Sequence, residues 1–156
     1  MAFSIPNRTD ALTDFQAEVD AGDIAVIAAG VQGDGVISGC AVTAQGTPDM
    51  TVAVATGVVS ISKNNVSVTA GNVTITAANG THPRFDFVAV NSSGTKSVVA
   101  GTAQASPVFP TIPASSVILA AIYVPASDTA ISSNQITDKR AFVVGALVFT
   151  ASQYGA

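Results

Sequence analysis

The most regular feature of the chain is a two-residue alternation of apolar and polar positions. Val66 and Val68 alternate with serine and threonine, and Val73, Ile75 and Ala77 alternate with threonines. Successive side chains of a β-strand point to opposite faces, and β-branched residues favour strands, so this pattern indicates half-buried strands. Similar runs predict further strands at Ile24–Val31, Val36–Ala44, Thr51–Ala55, Val58–Ser62, Arg84–Val90, Lys96–Ala100 and Val117–Val124.

Residues that favour tight turns separate many of these strands. They form four short groups: Lys63-Asn64-Asn65, Ala70-Gly71-Asn72, Asn79-Gly80 and Asn91-Ser92-Ser93-Gly94. Turn signals at intervals of about 8–12 residues are typical of antiparallel sandwiches and barrels. The sequence therefore predicts a mainly β protein, an antiparallel β-sandwich or jelly-roll-like module.

Two segments near the end of the chain differ from the hairpins. Pro107, Pro110 and Pro113 are three residues apart, a spacing that fits an extended crossing between two strands. The alternative, a ligand for a proline-binding module, is the weaker interpretation. The apolar segment Phe142–Phe149 predicts a last strand, which needs cover from the core or from a neighbouring subunit.

The first 34 residues follow a different pattern and contain six acidic residues against one basic residue. Leu12, Phe15 and Val19 lie on one face of a short predicted helix. Two interpretations remain open, an extended arm or a first helix packed on its own domain. We divide the chain into an attachment arm, residues 1–34, and a β-sandwich module with a C-terminal strand, residues 35–156.

Composition narrows the class of protein. Only 10% of the 156 residues are charged, 48% are apolar, and the net charge is −4, which argues against nucleic-acid binding. Prolines interrupt the longest uncharged run, so no membrane span is expected, and no secretory signal is visible at the N-terminus. Two alternatives remain: a small domain with a serine, threonine and asparagine surface, or a subunit that hides its surface in an assembly.

Candidate chemistry is sparse. His82 and Cys40 are the only histidine and cysteine, too few for a typical metal site, and one cysteine forms no intrachain disulfide. The glycines at 33, 35 and 39 precede a strand rather than the helix of a dinucleotide-binding loop. We expect no catalytic residue, no cofactor and no metal, and therefore no enzyme.

Because charge is scarce, two charged groups stand out. Arg84 and Asp86 open one predicted strand, and Asp138 and Arg140 lie near the end of the chain. Arginine and carboxylate form bidentate pairs, so we expect Arg84 with Asp138, or Asp86 with Arg140, to bridge the two segments within or between subunits. The alternative is solvated charge at strand ends.

An ordered set of segments resembles a β module of tailed-bacteriophage virion proteins. The segments are Ser38–Ala44, Thr51–Gly57, Pro83–Val90 with the turn Asn91–Gly94, Val98–Thr102, Pro107–Pro113, Leu119–Pro125 and Ile136–Arg140. The resemblance covers about residues 36–141. It implies a non-enzymatic virion subunit of the tail-fibre or baseplate type, commonly homotrimeric and assembled in the host cytoplasm.

The resemblance also sets expectations about partners. Other copies of the chain and other virion proteins are the expected partners, and Leu12, Phe15 and Val19 are expected to face one of them. The chain stops soon after Arg140 without a receptor-binding tip, so direct host recognition is not expected. Alternatives are a capsid decoration or head-fibre protein and, from another class, a carbohydrate-binding sandwich, which the lack of tryptophan disfavours.

Overall fold

A computed structural model of the chain describes residues 33–143. Within this range the elements are β1 (Gly35–Gly39), β2 (Val42–Ala44), β3 (Thr51–Val54), β4 (Gly57–Ile61), β5 (Asn64–Val68), β6 (Gly71–Thr74), β7 (Arg84–Asn91), β8 (Lys96–Ala100), β9 (Ser116–Val124), a 3-10 helix (Ser133–Gln135) and β10 (Ile136–Asp138). The predictions for Leu12, Phe15 and Val19, for Ile24–Val31, and for the part of the last strand after residue 143 lie outside the described residues.

The first six strands form a three-stranded antiparallel meander that bends in the middle. One half has the strand order β1-β4-β5 and the other has the order β2-β3-β6. The two orders match, because the six elements are the halves of three long strands: β1 continues into β2, β3 into β4, and β5 into β6. Only two residues separate the halves of each long strand, at positions 40–41, 55–56 and 69–70.

Glycines and a change of backbone direction form this corner. Gly39 has a φ of +64°, and the backbone N–H of Cys40 then donates to the carbonyl oxygen of Thr56 at 3.1 Å. A Cβ at Gly57 would lie 2.3 Å from the carbonyl oxygen of Ser38, so no side chain fits there. Strands that change direction at such a corner commonly use glycine. The turn predicted at Ala70-Gly71-Asn72 is wrong, because Gly71 and Asn72 begin β6 just after the bend.

The remaining strands form a four-stranded antiparallel sheet in the order β10-β9-β7-β8. β7 is central and pairs with β9 along its whole length. The register shifts between Val88 and Ala89, where Leu119 is an extra residue in β9. The segment from 101 to 115 carries the chain from β8 past β7 to β9, so the crossing predicted around the three prolines connects two strands as expected.

The core lies between the bent sheet and the four-stranded sheet. Fully buried side chains come from both layers and include Val59, Ile61, Leu119, Ile122 and Ile131. β1 and β4 contact β9 across this core. The predicted mainly β, antiparallel sandwich-like module is therefore confirmed.

Hydrogen bonds outside the sheets link the strands at two places, and one of them covers the edge of β1. The Lys96 ammonium donates to the carbonyl oxygen of Thr69, which links β8 to the corner before β6. On β1, the N–H of Val36 donates to Ala141 at 2.7 Å, and the N–H of Val143 donates to Val36 at 2.9 Å. Covered edges do not pair with other chains, which limits aggregation.

The hairpin between β4 and β5 turns one residue earlier than the sequence predicted. Ile61 pairs with Asn64, and Asn64 and Asn65 belong to β5. Ser62 and Lys63 occupy the turn with φ of 52° and 66°, the left-handed region that a type I′ turn requires at both positions. The Asn-Asn pair suggested a turn, but the turn falls on two residues with no intrinsic preference for this conformation.

Lys63→Gly is expected to stabilise the protein by about 0.5–1 kcal/mol, since glycine adopts a positive φ without the steric penalty of a Cβ. Urea unfolding of the two proteins measures the difference. Ser67→Gly, at an exposed position of β5 with an ordinary strand conformation, is the matched control and should lower stability. Equal destabilisation by both glycines would contradict the turn assignment.

Candidate interaction surface

Strand β7 presents charged residues to the core and aromatic residues to the outside. Val88 and Val90 belong to the core, and Arg84 and Asp86 share their face because strand residues two apart point the same way. Phe85 and Phe87 point to the opposite, outer face of the four-stranded sheet. The charged side chains are thus on the core side of the strand, whereas charged residues are usually exposed. On the outer face Phe87 is 7% exposed and Phe85 is half-buried.

The inward charges form a buried ion pair. Arg84 is 5% exposed and Asp86 is fully buried. Arg84 Nε lies 2.8 Å from Asp86 Oδ1 and 3.1 Å from Oδ2, and a terminal nitrogen lies 3.1 Å from Oδ2. The contact is bidentate, the geometry in which arginine binds carboxylate most strongly.

Backbone groups satisfy the rest of this pair. The guanidinium donates to the carbonyl oxygens of Thr76 and Ala77, the latter at 3.0 Å, in the segment that follows β6. Asp86 Oδ1 accepts the backbone N–H of Gly101 at 3.0 Å, just after β8. Arg84 and Asp86 thus connect three parts of the chain that are distant in sequence.

The second pair is also local. Arg140 Nε lies 3.0 Å from Asp138 Oδ1, and a terminal nitrogen lies 2.6 Å from Oδ2. The same guanidinium donates to the carbonyl oxygen of Gly39 at 2.8 Å, at the corner of the bent sheet. The expected pairs Arg84–Asp138 and Asp86–Arg140 are therefore wrong within the chain, because each arginine binds the aspartate two residues away.

The Asp138–Arg140 pair is more exposed, and it changes the ionisation of its members. Hydrogen bonds from the Arg140 side chain and backbone lower the pKa of Asp138 from its ordinary value to about 2. The side-chain hydrogen bond to Asp138 raises the pKa of Arg140. The carboxylate thus remains charged in acid that protonates an ordinary aspartate.

On the outer side of the four-stranded sheet lies a cluster that we call the aromatic face, defined by Phe85, Phe87, Phe109 and Tyr123. Phe109, from the proline segment, stacks on Phe87 at 5.4 Å between ring centroids with an 8° angle between planes. It also packs against Phe85 at 4.6 Å, and Phe85 packs against Tyr123 at 5.3 Å. The proline segment is therefore held on the sheet by an aromatic ring.

The aromatic face is incompletely covered. Phe109 is 50% exposed and Tyr123 is 38% exposed, and the adjacent Val108 and nearby Ile112 are 61% and 54% exposed. The Lys139 ammonium lies 5.6 Å from the centre of the Phe109 ring, a cation–π distance. Beside Val108 and Phe109 is a shallow groove of about 380 Å³, bounded on its other side by residues 99–102. The surface combines an exposed apolar ridge with a groove of mixed polar and apolar lining.

Other candidate chemistry does not assemble into a site within residues 33–143. No group of three histidine, cysteine or acidic side chains in this range is placed to hold a metal ion. Cys40 is buried at the corner, where burial raises the pKa of its thiol. His82 is exposed, and its backbone N–H donates to Asn79 Oδ1 at 2.9 Å in the turn predicted there.

The aromatic face was not identified from the sequence. Its signal was the alternation Arg84-Phe85-Asp86-Phe87, which puts two charges on one side of a strand and two aromatic rings on the other. An ordinary interpretation buries the rings. The core residues Val88 and Val90 on the same side of the strand show that the charged side faces inward, and so do the backbone partners of Arg84 and Asp86, which are distant in sequence.

Comparisons with known proteins give no relative. No family model, curated protein or solved structure matches the chain. In residues 33–143, no helix has the length and apolar character needed to cross a membrane.

Breaking the buried pair is expected to be more damaging than removing it. Arg84→Ala or Asp86→Ala should each lower the free energy of unfolding by about 3–5 kcal/mol, since each leaves a buried charge without its partner. The double variant should lose less than either single variant, and therefore clearly less than the sum of the two. Urea unfolding of the four proteins measures this coupling. Strictly additive losses would show that Arg84 and Asp86 do not stabilise each other.

The Asp138–Arg140 pair predicts that the stability of the protein depends on pH in the acid range. Because folding lowers the pKa of Asp138, its contribution to stability is complete above the ordinary aspartate pKa and is lost as the pH falls towards 2. Asp138→Asn should remove this part of the acid sensitivity. Thermal melts at several pH values between 5 and 2 test it, and a wild-type pH profile unchanged by the substitution would contradict it.

Proposed function

We propose that this chain is a non-enzymatic structural subunit of a tailed-bacteriophage virion, a homotrimeric component of the tail, fibre or baseplate. The observation that carries the proposal is the group of exposed apolar side chains at the aromatic face, Val108, Phe109, Ile112 and Tyr123, on a body with few charges. Large exposed apolar surfaces on folded domains usually mark contacts with other proteins. An assembly subunit needs such a surface, whereas a freely diffusing domain is better served by a polar one.

The resemblance of the ordered segments supports the choice of a virion protein. Several of these segments lie at the structural features described above. Pro83–Val90 contains the buried ion pair and both outer phenylalanines, and Pro107–Pro113 contains Phe109. The segment Ile136–Arg140 contains β10 and the second ion pair. These are structural rather than catalytic roles, which agrees with a subunit that acts by assembling.

The distribution of charge suggests that the first segment and the rest of the chain make different contacts. Residues 1–34, the attachment arm, contain one arginine and six acidic residues, a net charge of −5. The rest of the chain contains five basic and four acidic residues, a net charge of +1. We assign contacts between copies to this nearly neutral body and attachment to another virion protein to the acidic arm.

The proposal predicts that mass spectrometry of purified phage particles finds this chain at a stoichiometry that is a small multiple of three or six. The physical reason is that closed symmetric assemblies of the tail fix the copy number. The control is the same measurement on the fraction of the lysate that has been separated from the phage particles. Absence of the chain from particles would refute the proposal, and hundreds of copies would favour the alternative, a capsid decoration or head-fibre protein.

A further inference from the structure

We propose that Asn79 is a site of spontaneous modification, where the folded protein converts its own asparagine side chain to aspartate or isoaspartate. This is the one place in the sequence where a glycine follows an asparagine. Asn79 and Gly80 are both exposed, in the connection between β6 and β7. The reaction consumes only water, so the inference goes beyond the proposed function and does not depend on it.

The reaction joins a backbone nitrogen to the neighbouring side chain. The Gly80 amide nitrogen gives its proton to the solvent and attacks Asn79 Cγ. A carbon–nitrogen bond forms, the bond from Cγ to Nδ2 breaks, and Nδ2 takes up a proton and leaves as ammonia. The product is a five-membered succinimide ring. Water then opens the ring at one of its two carbonyl carbons, which gives aspartate or isoaspartate.

Two backbone N–H groups face the oxygen on which negative charge develops. Attack on Cγ makes this carbon tetrahedral and transfers the charge to Oδ1. Oδ1 accepts the N–H of Thr81 at 2.8 Å and the N–H of His82 at 2.9 Å. Two donors require an acceptor, which identifies this atom as the oxygen. Donors that already face a developing oxyanion lower the barrier, because they need no reorganisation.

A third backbone N–H stabilises the attacking nitrogen. When the Gly80 nitrogen loses its proton, the negative charge spreads to the oxygen of the same peptide group, which is the carbonyl oxygen of Asn79. This oxygen accepts the N–H of Ser127 at 2.8 Å. The Ser127 hydroxyl also donates to the carbonyl oxygen of Gly80 at 3.0 Å. A hydrogen bond to the charged form of a group favours that form, so Ser127 favours the deprotonated nucleophile.

The surroundings leave room for the reaction. A Cβ built at Gly80 would have no heavy atom within 4 Å, and glycine itself has no side chain to obstruct its nitrogen. Among the described residues, none accepts a hydrogen bond from Asn79 Nδ2. The leaving nitrogen is therefore free to depart into the solvent.

Asn91, in the turn between β7 and β8, is an internal control. Its Oδ1 accepts the N–H of Ser93 at 2.9 Å and the N–H of Thr95 at 3.0 Å. Its backbone carbonyl oxygen accepts the N–H of Gly94 at 3.0 Å. The three donors thus have the same arrangement as at the first site, but Ser92 follows Asn91, and its Cβ obstructs attack by its nitrogen.

The test is to incubate the full chain at neutral pH, both folded and unfolded in urea, and to follow deamidation by tandem mass spectrometry of tryptic peptides. We expect Asn79 to react about tenfold faster in the folded protein, the effect of about one net hydrogen bond on the barrier. Asn91 should react far more slowly than Asn79 in both states. Equal or slower reaction of Asn79 in the folded protein would overturn the inference, because the backbone donors would then protect the side chain.

Two variants test the role of the following residue. Gly80→Ala should slow the reaction at Asn79 in both states, since a Cβ obstructs the attack. Ser92→Gly should make Asn91 reactive in the folded protein, because its three donors are already in place. Circular dichroism shows whether each variant keeps the wild-type fold. An unchanged rate in folded Gly80→Ala, or an unreactive Asn91 in folded Ser92→Gly, would contradict the inference.

Discussion

The bidentate pair between Arg84 and Asp86 decides which side of strand β7 faces the core. A buried charge without a partner costs several kcal/mol, but here the carboxylate accepts from the guanidinium and from Gly101, and the guanidinium also donates to two carbonyl oxygens. Because side chains alternate along a strand, inward charges at 84 and 86 put Phe85 and Phe87 on the outside. The aromatic face follows from the way the pair is satisfied.

The same pair also places the proline segment. Gly101 begins that segment, and its N–H reaches Asp86 only because no side chain separates it from β7: a Cβ there would lie 2.2 Å from the carbonyl oxygen of Phe85. From this fixed start the chain crosses to β9, and Phe109 stacks on the outward Phe87. The inner ion pair and the outer aromatic cluster thus both follow from the alternation of side chains along β7.

Local patterns predicted most of the strands, because alternation is a property of neighbouring residues. Lys96–Ala100 was predicted with its observed bounds, whereas β10 was missed, since three residues carry too little pattern. The sequence also identified Arg84, Asp86, Asp138 and Arg140 as unusual. The predicted pairing between the two segments is wrong because each arginine binds the aspartate two residues away. For Arg84 and Asp86 the alternation of side chains along one strand already puts the two residues on the same face. The aromatic face depends on backbone partners distant in sequence, which no local pattern contains.

The corner of the bent sheet has a consequence for how the chain tolerates changes in length. The inward positions are Val52 and Val54 before the corner and Val59 and Ile61 after it, so they change from even to odd numbers. The next long strand does the same, from Val66 and Val68 to Val73 and Ile75. The interruptions at 55–56 and 69–70 therefore each shift the alternation of inward side chains by one residue. A deletion of one residue at 55–56 or 69–70 would turn half a strand inside out, whereas insertions at the far hairpin ends leave every inward position in place. The corner residues, which belong to no strand, are thus the places where the length of the chain is most tightly constrained.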